Sequence, residues 1–511
     1  MKQLREDSGT GPDLLASKIL KKLAQVLAKP VALLVRIMLD TGCWPHCWKL
    51  HWIYPLHKRG ARSLCKQYRG IHLTAQLSKV CERILSRYWA PYLEATLSYG
   101  THQFAYIPNR GYRDALLFTV CSWLWALATK KRVGVYCSDV SGAFDRVDAE
   151  RLIMKLRARG VHERVLKLLQ SWLSDRTAHV CVEGIRSAAF VLSNMVFQGT
   201  VSGPSLWNSY YADANRAVES CEYTGTVFAD DLNCFKVFDG SIGNRYIYSE
   251  SKRCQQALHV WGRANRVVFG PAKESFHILD CRQPSGENFK MLSVPFDLKL
   301  SMHAAAVEFA SVAGWRLKTL LRARRYYDTK ALVGLYKSHI LSFIEGATPA
   351  LFHAAPNVLK LIDDIQGSFL QQLEVSQLAA FLEYNLAPLS LRRDIAMLGV
   401  LFKVSHKKAP PPVCALFKPY GRGALTAYRF VSAEVFHSFA LHDPIEPTHP
   451  VMLKRSLFGL IAIYNRLPQE LVEVESTQSF QRKLQRLARD AAVDGGAHWH
   501  LMFSCRKQTD M

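Results

Sequence analysis

The sequence predicts an α+β fold with a helical region appended to it. Three observations carry the prediction. Apolar runs with period-two alternation mark strands near residues 132–140 and 226–238. Helical patterns fall between strands without a regular βαβα order, which argues against a doubly wound sheet. From about Val307 to Gln377 long helical patterns dominate. Taken in order, Leu14 to Leu39 reads as helix, with Leu15, Ile19, Leu23, Val26 and Leu27 on one face and Pro30 breaking or kinking it. "WIYPLHKRG" (Trp52 to Gly60) reads as a short strand running into a basic turn. "RVGVYCSDV" sets Val133, Val135, Cys137 and Asp139 on one side of a strand. Asp148 opens the helix "AERLIMKLRARG", which ends near Gly160. "TVFADDLNCFKVF" reads as two strands around a tight turn, and "SKRCQQALHVWGRAN" as helix. "SHKKAPPPV" (Ser405 to Val413) is rich in Pro and Lys and is expected to be a linker.

Length and composition narrow the function. A chain of 511 residues with 49% hydrophobic content can bury a sizeable core, and its length suggests about three domains. Lysine and arginine total 66 against 42 acidic residues, a formal charge of +24. Such an excess is self-repulsive unless a polyanion offsets it, so nucleic acid is the expected partner, ahead of an anionic membrane surface. The 13 cysteines are scattered and include no C-x-x-C pair. Reduced thiols in an intracellular compartment are expected. The start, "MKQLREDSGTGPD", lacks the apolar core of a signal peptide, and "VALLVRIML" is too short to span a bilayer.

The carboxylates at strand ends point to chemistry. Asp139, Asp230 and Asp231 each close an apolar, strand-like run. In an unbroken strand, alternation sends Asp230 and Asp231 to opposite sides, and Asp230 is expected to face Asp139. Taken singly, each Asp reads as the cap of a turn or helix. Together they would repel one another, and a hard divalent cation relieves the conflict. Paired ions of that kind suit nucleotidyl transfer.

The order of motifs extends this reading. "SDVSGAFDRVD" (Ser138 to Asp148), "VFQGTVSGPSLWN" (Val196 to Asn208) and "FADD" (Phe228 to Asp231) resemble motifs A, B and C of reverse transcriptases, in the style of non-LTR (LINE-type) retrotransposons. "HQFAYIPNRGYRDAL", "FGPAKESFHIL", "LSVPFDLKLSMHAAA" and the segment from Arg455 to Gln485 resemble further parts of that family. The resemblance implies a right-hand polymerase fold: an N-terminal helical extension (1–50), fingers and palm (51–290), a helical thumb and connection (291–404), and a linker and C-terminal region (405–511). It implies that Asp139, Asp230 and Asp231 hold two Mg²⁺ ions, with Mn²⁺ as a substitute, and that Lys273 protonates pyrophosphate. Lys58, Arg59 and Arg69 resemble the cations that grip the triphosphate. Phe144 matches the aromatic that crowds the sugar 2′ position. Gln198 and Gly199 match the loop against the nascent base pair, where a glycine allows close backbone approach. The run "GWRLKTLLRARRYYDTK" supplies Arg316, Lys318, Arg322, Arg324 and Arg325 for tracking a template–primer backbone.

The implied partners are an RNA template, a DNA primer or target and dNTPs, with no membrane; the family implies nucleus and cytoplasm. Some features depart from the family pattern. The sequence has room for no endonuclease and shows no C-C-H-C knuckle; Leu292 is followed by Ser293 rather than Gly, and Phe197 stands before Gln198 where Pro is common. A fragment or a decayed copy of a longer element is therefore an expectation too. The alternatives are a catalytically decayed nucleic-acid-binding relic, an intron-type reverse transcriptase and an RNA-dependent RNA polymerase; Phe144 argues against ribonucleotide use.

Overall fold

A computed structural model describes residues 1–58, 60–270, 274–421 and 436–508. Arg59 and Lys273 lie outside the described residues. In chain order the strands are β1 (Leu50–His57), β2 (Tyr68–Leu73), β3 (Arg132–Cys137), β4 (Arg176–Val182), β5 (Ile185–Arg186), β6 (Phe190–Leu192), β7 (Thr224–Phe228), β8 (Asp231–Phe238), β9 (Ser275–Leu279), β10 (Phe289–Met291) and β11 (Val294–Phe296). Helices and sheets are mixed through the first three hundred residues and helices dominate afterwards, as an α+β chain requires.

Two compact units interleave along the sequence. One takes Met1–Ile107, Ser138–Leu232 and Lys252–Glu274; the other takes Pro108–Cys137, Asn233–Ser251 and Ser275–Met511. This division differs from the four consecutive segments expected. Strands pair across long sequence separations, so neighbours in space come from distant stretches.

The first unit is built on a sheet of order β2-β1-β4-β5, with β6 also on β4. β1 pairs antiparallel with β2 (Trp52↔Leu73 to His57↔Tyr68) and parallel with β4 (Leu50↔Thr177 to Ile53↔Val180). Pairing with β4 ends at Ile53, so Pro55, which has no N–H to give, sits where β1 has a partner on one side only. Trp172, Trp207, Phe197 and Tyr210 fill the core of this unit. Asp148 caps the helix Ala149–Ala158 as expected, its Oδ1 accepting the Arg151 N–H at 3.0 Å.

In the second unit β3 lies between β8 and β9, antiparallel to both (Cys137↔Asn233; Val133↔Leu279). Every residue of β3 is buried, which is why the strand carries so few polar side chains. The helix Tyr112–Ala128 is apolar nearly all round and is buried accordingly. Its Trp123 meets Phe235, Phe289 and Phe296 edge-on. Further along, the helices Pro356–Gln372, Leu389–Ser405 and Thr477–Val493 pack through Ile362, Phe369, Leu398, Phe402, Phe480 and Leu484. Arg393 clamps Asp363 with two hydrogen bonds of 2.6 and 2.7 Å.

Two local expectations are corrected. The helix expected from Leu14 to Leu39 is two helices, Ser17–Lys22 and Ala28–Thr41. Pro30 stands in the first turn of the second, where its missing N–H costs nothing. The buried residues are Leu20, Ala24, Val31, Val35 and Met38, while Ile19, Leu23 and Val26 are exposed, so the buried face differs from the one expected. The expected linker is not one either. The helix Leu389–Ser405 runs to its first residue, and Pro410 opens a short helix, Pro411–Cys414, that buries Pro412 and Val413. No helix among the described residues is long and apolar enough to cross a membrane. All 13 cysteines are free.

Candidate active site

The site grows from one junction in the first unit. The N–H and Oγ of Ser138 both donate to the carbonyl of Leu232, at 3.0 and 2.7 Å. This continues the β3–β8 register by one step, and Asp139 and Asp231 are the next residues outward on the two chains. The expectation that Asp230 faces Asp139 assumes an unbroken strand. The strand is broken at Ala229, whose φ of +60° folds Ala229–Asp230 into a turn and cancels the alternation. Asp139 and Asp230 are half-buried and Asp231 is exposed.

Each aspartate is held through its backbone neighbours. Gly270 N–H donates to the Asp139 carbonyl at 2.8 Å. A Cβ at Gly270 would stand 3.3 Å from Asp139 Oδ2, so the glycine keeps space open beside that carboxylate. The turn before Asp231 is clasped by Gln103, whose Oε1 accepts the N–H groups of Ala229 and Ala105, each at 3.0 Å. Trp207 Nε1–H donates to the Ala229 carbonyl at 3.0 Å. On that indole stacks Phe144, with ring centroids 5.7 Å apart and planes 19° from parallel. Tyr106 meets Phe144 edge-on at 6.5 Å. Burial raises the Tyr106 hydroxyl above its usual range, the Asp230 charge raises it further and Arg69 opposes both. Tyr106 thus touches Phe144 and feels the charges of both Asp230 and Arg69.

The basic hairpin reaches the same surroundings. Lys58, exposed just beyond β1, donates its backbone N–H to the Gln67 carbonyl at 2.8 Å. Its charge opposes the upward push of burial on the Asp145 carboxyl, next to Phe144. Arg69 is exposed on β2.

The loop with Gln198 and Gly199 is docked on β2. His72 N–H donates to the Gln198 carbonyl at 2.8 Å. Gly199 has φ +106°, and a Cβ there would stand 2.7 Å from the His72 carbonyl oxygen. The close approach expected at this glycine is therefore an approach to β2. Beyond it, the buried Glu82 carboxylate accepts Val201 N–H at 2.9 Å and Ser202 N–H at 3.1 Å, an anion at the start of the helix Gly203–Tyr211.

Under this loop lies a polar cluster that the sequence gave no sign of. Arg176 is fully buried, donates to the Trp172 carbonyl at 2.6 Å and lies over the Trp172 and Phe197 rings. Its guanidinium contacts His51 Nε2 at 2.5 Å, and His51 Nδ1 lies 2.9 Å from His72 Nδ1. A guanidinium only donates, so His51 Nε2 accepts; neutral His51 then carries its proton on Nδ1 and gives it to His72. Burial, with Arg176 adding to it, lowers His51 to about 2 and His72 to about 4.

The remaining predicted residues are in the second unit. Arg316 donates to the His339 carbonyl at 2.8 Å and covers the Phe343 ring. Lys318 and Arg322 are exposed on the helix His303–Arg322, which ends before Arg324 and Arg325. Arg324 bonds Gln372 at 3.0 Å and Arg325 lies over Tyr326.

The sequence profile of the family "Reverse transcriptase (RNA-dependent DNA polymerase)" matches residues 56–296. The chain is 30% identical over 205 residues to the RNA-directed DNA polymerase from mobile element jockey of Drosophila melanogaster, covering 40% of this chain and 22% of that one. Residues 56–296 are a reverse transcriptase domain of the non-LTR kind. The probable RNA-directed DNA polymerases from transposon BS and transposon X-element, also of Drosophila melanogaster, are each 28% identical, over 214 and 327 residues. The first covers 42% of this chain and 24% of the relative, the second 61% and 35%. The chain thus spans between about a fifth and a third of the length of the curated relatives it matches. A solved structure, apo telomerase from Candida Tropicalis truncated from its C-terminal domain, aligns at a TM-score of 0.36 and 11% identity, over 56% of this chain and 59% of that one. That likeness is too slight to inform the fold.

The reverse transcriptase domain's carboxylates suit a hard cation in kind: oxygen donors, with open space beside Asp139. Among the described residues no three His, Cys, Asp or Glu side chains group closely enough to hold a metal by themselves. Mg²⁺ is commonly held by one or two carboxylates with substrate phosphates completing the shell, and this donor set fits that case.

Proposed function

We propose that the chain is an RNA-directed DNA polymerase that adds dNTPs to a primer 3′-hydroxyl on an RNA template. The observation that carries this reading is the Ser138–Leu232 junction, which brings the stretch ending in Asp139 beside the strand that begins at Asp231. In this reading β3, β7, β8 and β9 belong to the palm and the β1–β2 hairpin to the fingers. The helices after His303 form the thumb and the connection, followed by a C-terminal helical region. The chain acts inside the cell, in nucleus and cytoplasm.

Asp139, Asp230 and Asp231 would hold divalent ions, two Mg²⁺ with Mn²⁺ as a substitute, which when bound would activate the 3′-hydroxyl and offset charge on the leaving pyrophosphate. The protein's own groups set the geometry around them. Lys58 and Arg69 attract the triphosphate, with Arg59 adding to them. Phe144, backed by Trp207, limits room at the sugar. Gln198, fixed to β2, faces the new base pair. Lys273 gives a proton to the departing pyrophosphate.

The test is Mg²⁺-dependent dTTP incorporation on poly(rA)/oligo(dT), with Asp230→Asn beside it. Incorporation by the wild-type chain and its loss in the variant are expected. If both chains are inert across metals and salts, the polymerase reading fails and a nucleic-acid-binding relic replaces it.

A further inference from the structure

The second unit carries a cleft that the polymerase reading leaves unused. Its volume is about 710 Å³, and it opens where the first turn of the helix Tyr112–Ala128 meets the helices Leu389–Ser405 and Thr477–Val493. That size lies within the span of ordinary ligand sites, about 300–1,000 Å³. Five cations line it, Arg110, Arg113, Arg392, Lys403 and Arg482, against two carboxylates, Asp114 and Glu345. Both carboxylates are already engaged. Asp114 caps its own helix by accepting the Gly111 N–H at 2.9 Å, and Glu345 accepts from Arg392 Nε at 2.5 Å. The concave surface is therefore positive by three charges, and Arg113 and Arg482 on its rim are exposed.

The uncharged lining has a character of its own. Gln478, Gln481 and Gln485 line the cleft from one helix. Gly399 lets that helix come close, since a Cβ there would stand 2.4 Å from Gln481 Nε2. Tyr112 adds an aromatic ring 37% exposed, its hydroxyl resting over Gly346, where a Cβ would stand 2.6 Å away. Cations along a groove, amides between them and a ring to stack on are the means by which single-stranded nucleic acid is held. A duplex offers no unstacked base for the ring, and a bare anion would leave the amides and the ring without a role.

We propose that this cleft binds a single-stranded stretch of nucleic acid, with Arg113, Lys403 and Arg482 on phosphates and Tyr112 against a base. The site lies wholly in the second unit and is read by binding, so its test does not depend on synthesis by the first.

The decisive measurement is photo-crosslinking of the full wild-type chain to a short 4-thiouridine-substituted oligo(U), with the adducts mapped by mass spectrometry. Adducts on the peptides holding Tyr112 or Gln478–Gln485 are expected. Adducts confined to other peptides overturn the proposal. A second measurement is fluorescence anisotropy of labelled oligo(U) with the Arg113→Ala/Lys403→Ala/Arg482→Ala variant. With adducts at the cleft, this variant weakens that contact by roughly 100-fold near 0.1 M salt and lowers the salt slope by about 2, at ~0.7 per phosphate. Should the variant misfold, Tyr112→Leu, which keeps every cation, is expected to remove the Tyr112 adduct while the salt slope stays as in wild type. Poly-glutamate is the competing probe. Cleft occupancy by it, with no oligo(U) adduct there, assigns the cleft to acidic peptides and overturns the proposal.

Discussion

Gly199 shows what a single residue contributes. Its φ of +106° lies where side chains are strained, and the space a Cβ would take belongs to the His72 carbonyl. Gly199→Ala must shift the loop or β2, at about 1–3 kcal/mol. Incorporation of dTTP is expected to fall about tenfold or more, since 1.36 kcal/mol is a decade in rate, while metal dependence is retained; an unchanged rate would mean that the loop does not touch the reaction. Phe144 is a second case. Its ring is mostly buried on Trp207, so Phe144→Ala removes packing worth about 3–5 kcal/mol as well as any limit on the sugar. Two measurements separate the roles. A gate predicts a higher ratio of ribonucleotide to deoxynucleotide incorporation; pure packing predicts only a lower melting temperature. The glycine's tightness was legible in the sequence, though the surface it meets was not. Gln103 and Tyr106 stood in a quoted stretch with no role, because nothing local says that a glutamine will clasp a turn 126 residues away.

At the scale of elements, the first unit's sheet rests on a polar cluster, and acid should find it. Above about pH 6.5 His51 and His72 are neutral in both folded and unfolded chains. As pH falls, the unfolded chain takes up protons that the folded cluster refuses until about 4 for His72 and about 2 for His51. The unfolded state then binds more protons, so stability is lost on acidification through that window. Chemical denaturation at a series of pH values should show His72→Asn with a shallower loss between pH 6.5 and 4, by up to one proton, roughly 1.36 kcal/mol per pH unit. A slope equal to wild type would mean that His72 is free to protonate when folded. Elements with a local signature were legible: β3 and the pair β7 and β8 by alternation, the helix after Asp148 by its cap. Partnerships made at long range were not. β1 lies beside β4, more than a hundred residues on, and nothing near Arg176 announces that it will be buried against two histidines. The first helix was misread in extent and in face: the chain turns at residues 23–27, and the buried positions are Leu20 and Ala24, one residue on from the Ile19 and Leu23 that were counted.

At the scale of the whole molecule, a charge of +24 must meet a polyanion somewhere, and the structure sorts the cations that can do so. Three of the five expected to track a template–primer are engaged within the second unit, Arg316 with His339 and Phe343, Arg324 with Gln372 and Arg325 with Tyr326. Lys318 and Arg322, four residues apart, share an exposed helix face beside Trp315, which is 68% exposed. A cation already held by protein releases fewer counterions from a nucleic acid than one facing water. Removing Lys318 and Arg322 together should therefore lower the dependence of log K on log salt for poly(rA)/oligo(dT) by about 2, near 0.9 per contact on a duplex. Removing Arg316 and Arg324 together should leave that slope nearly unchanged and lower the melting temperature instead. Titrations of both double variants across a salt series decide the matter. Equal slopes for the two would show that exposure on this helix does not select the contacts, and that the polyanion is met on another face of the chain.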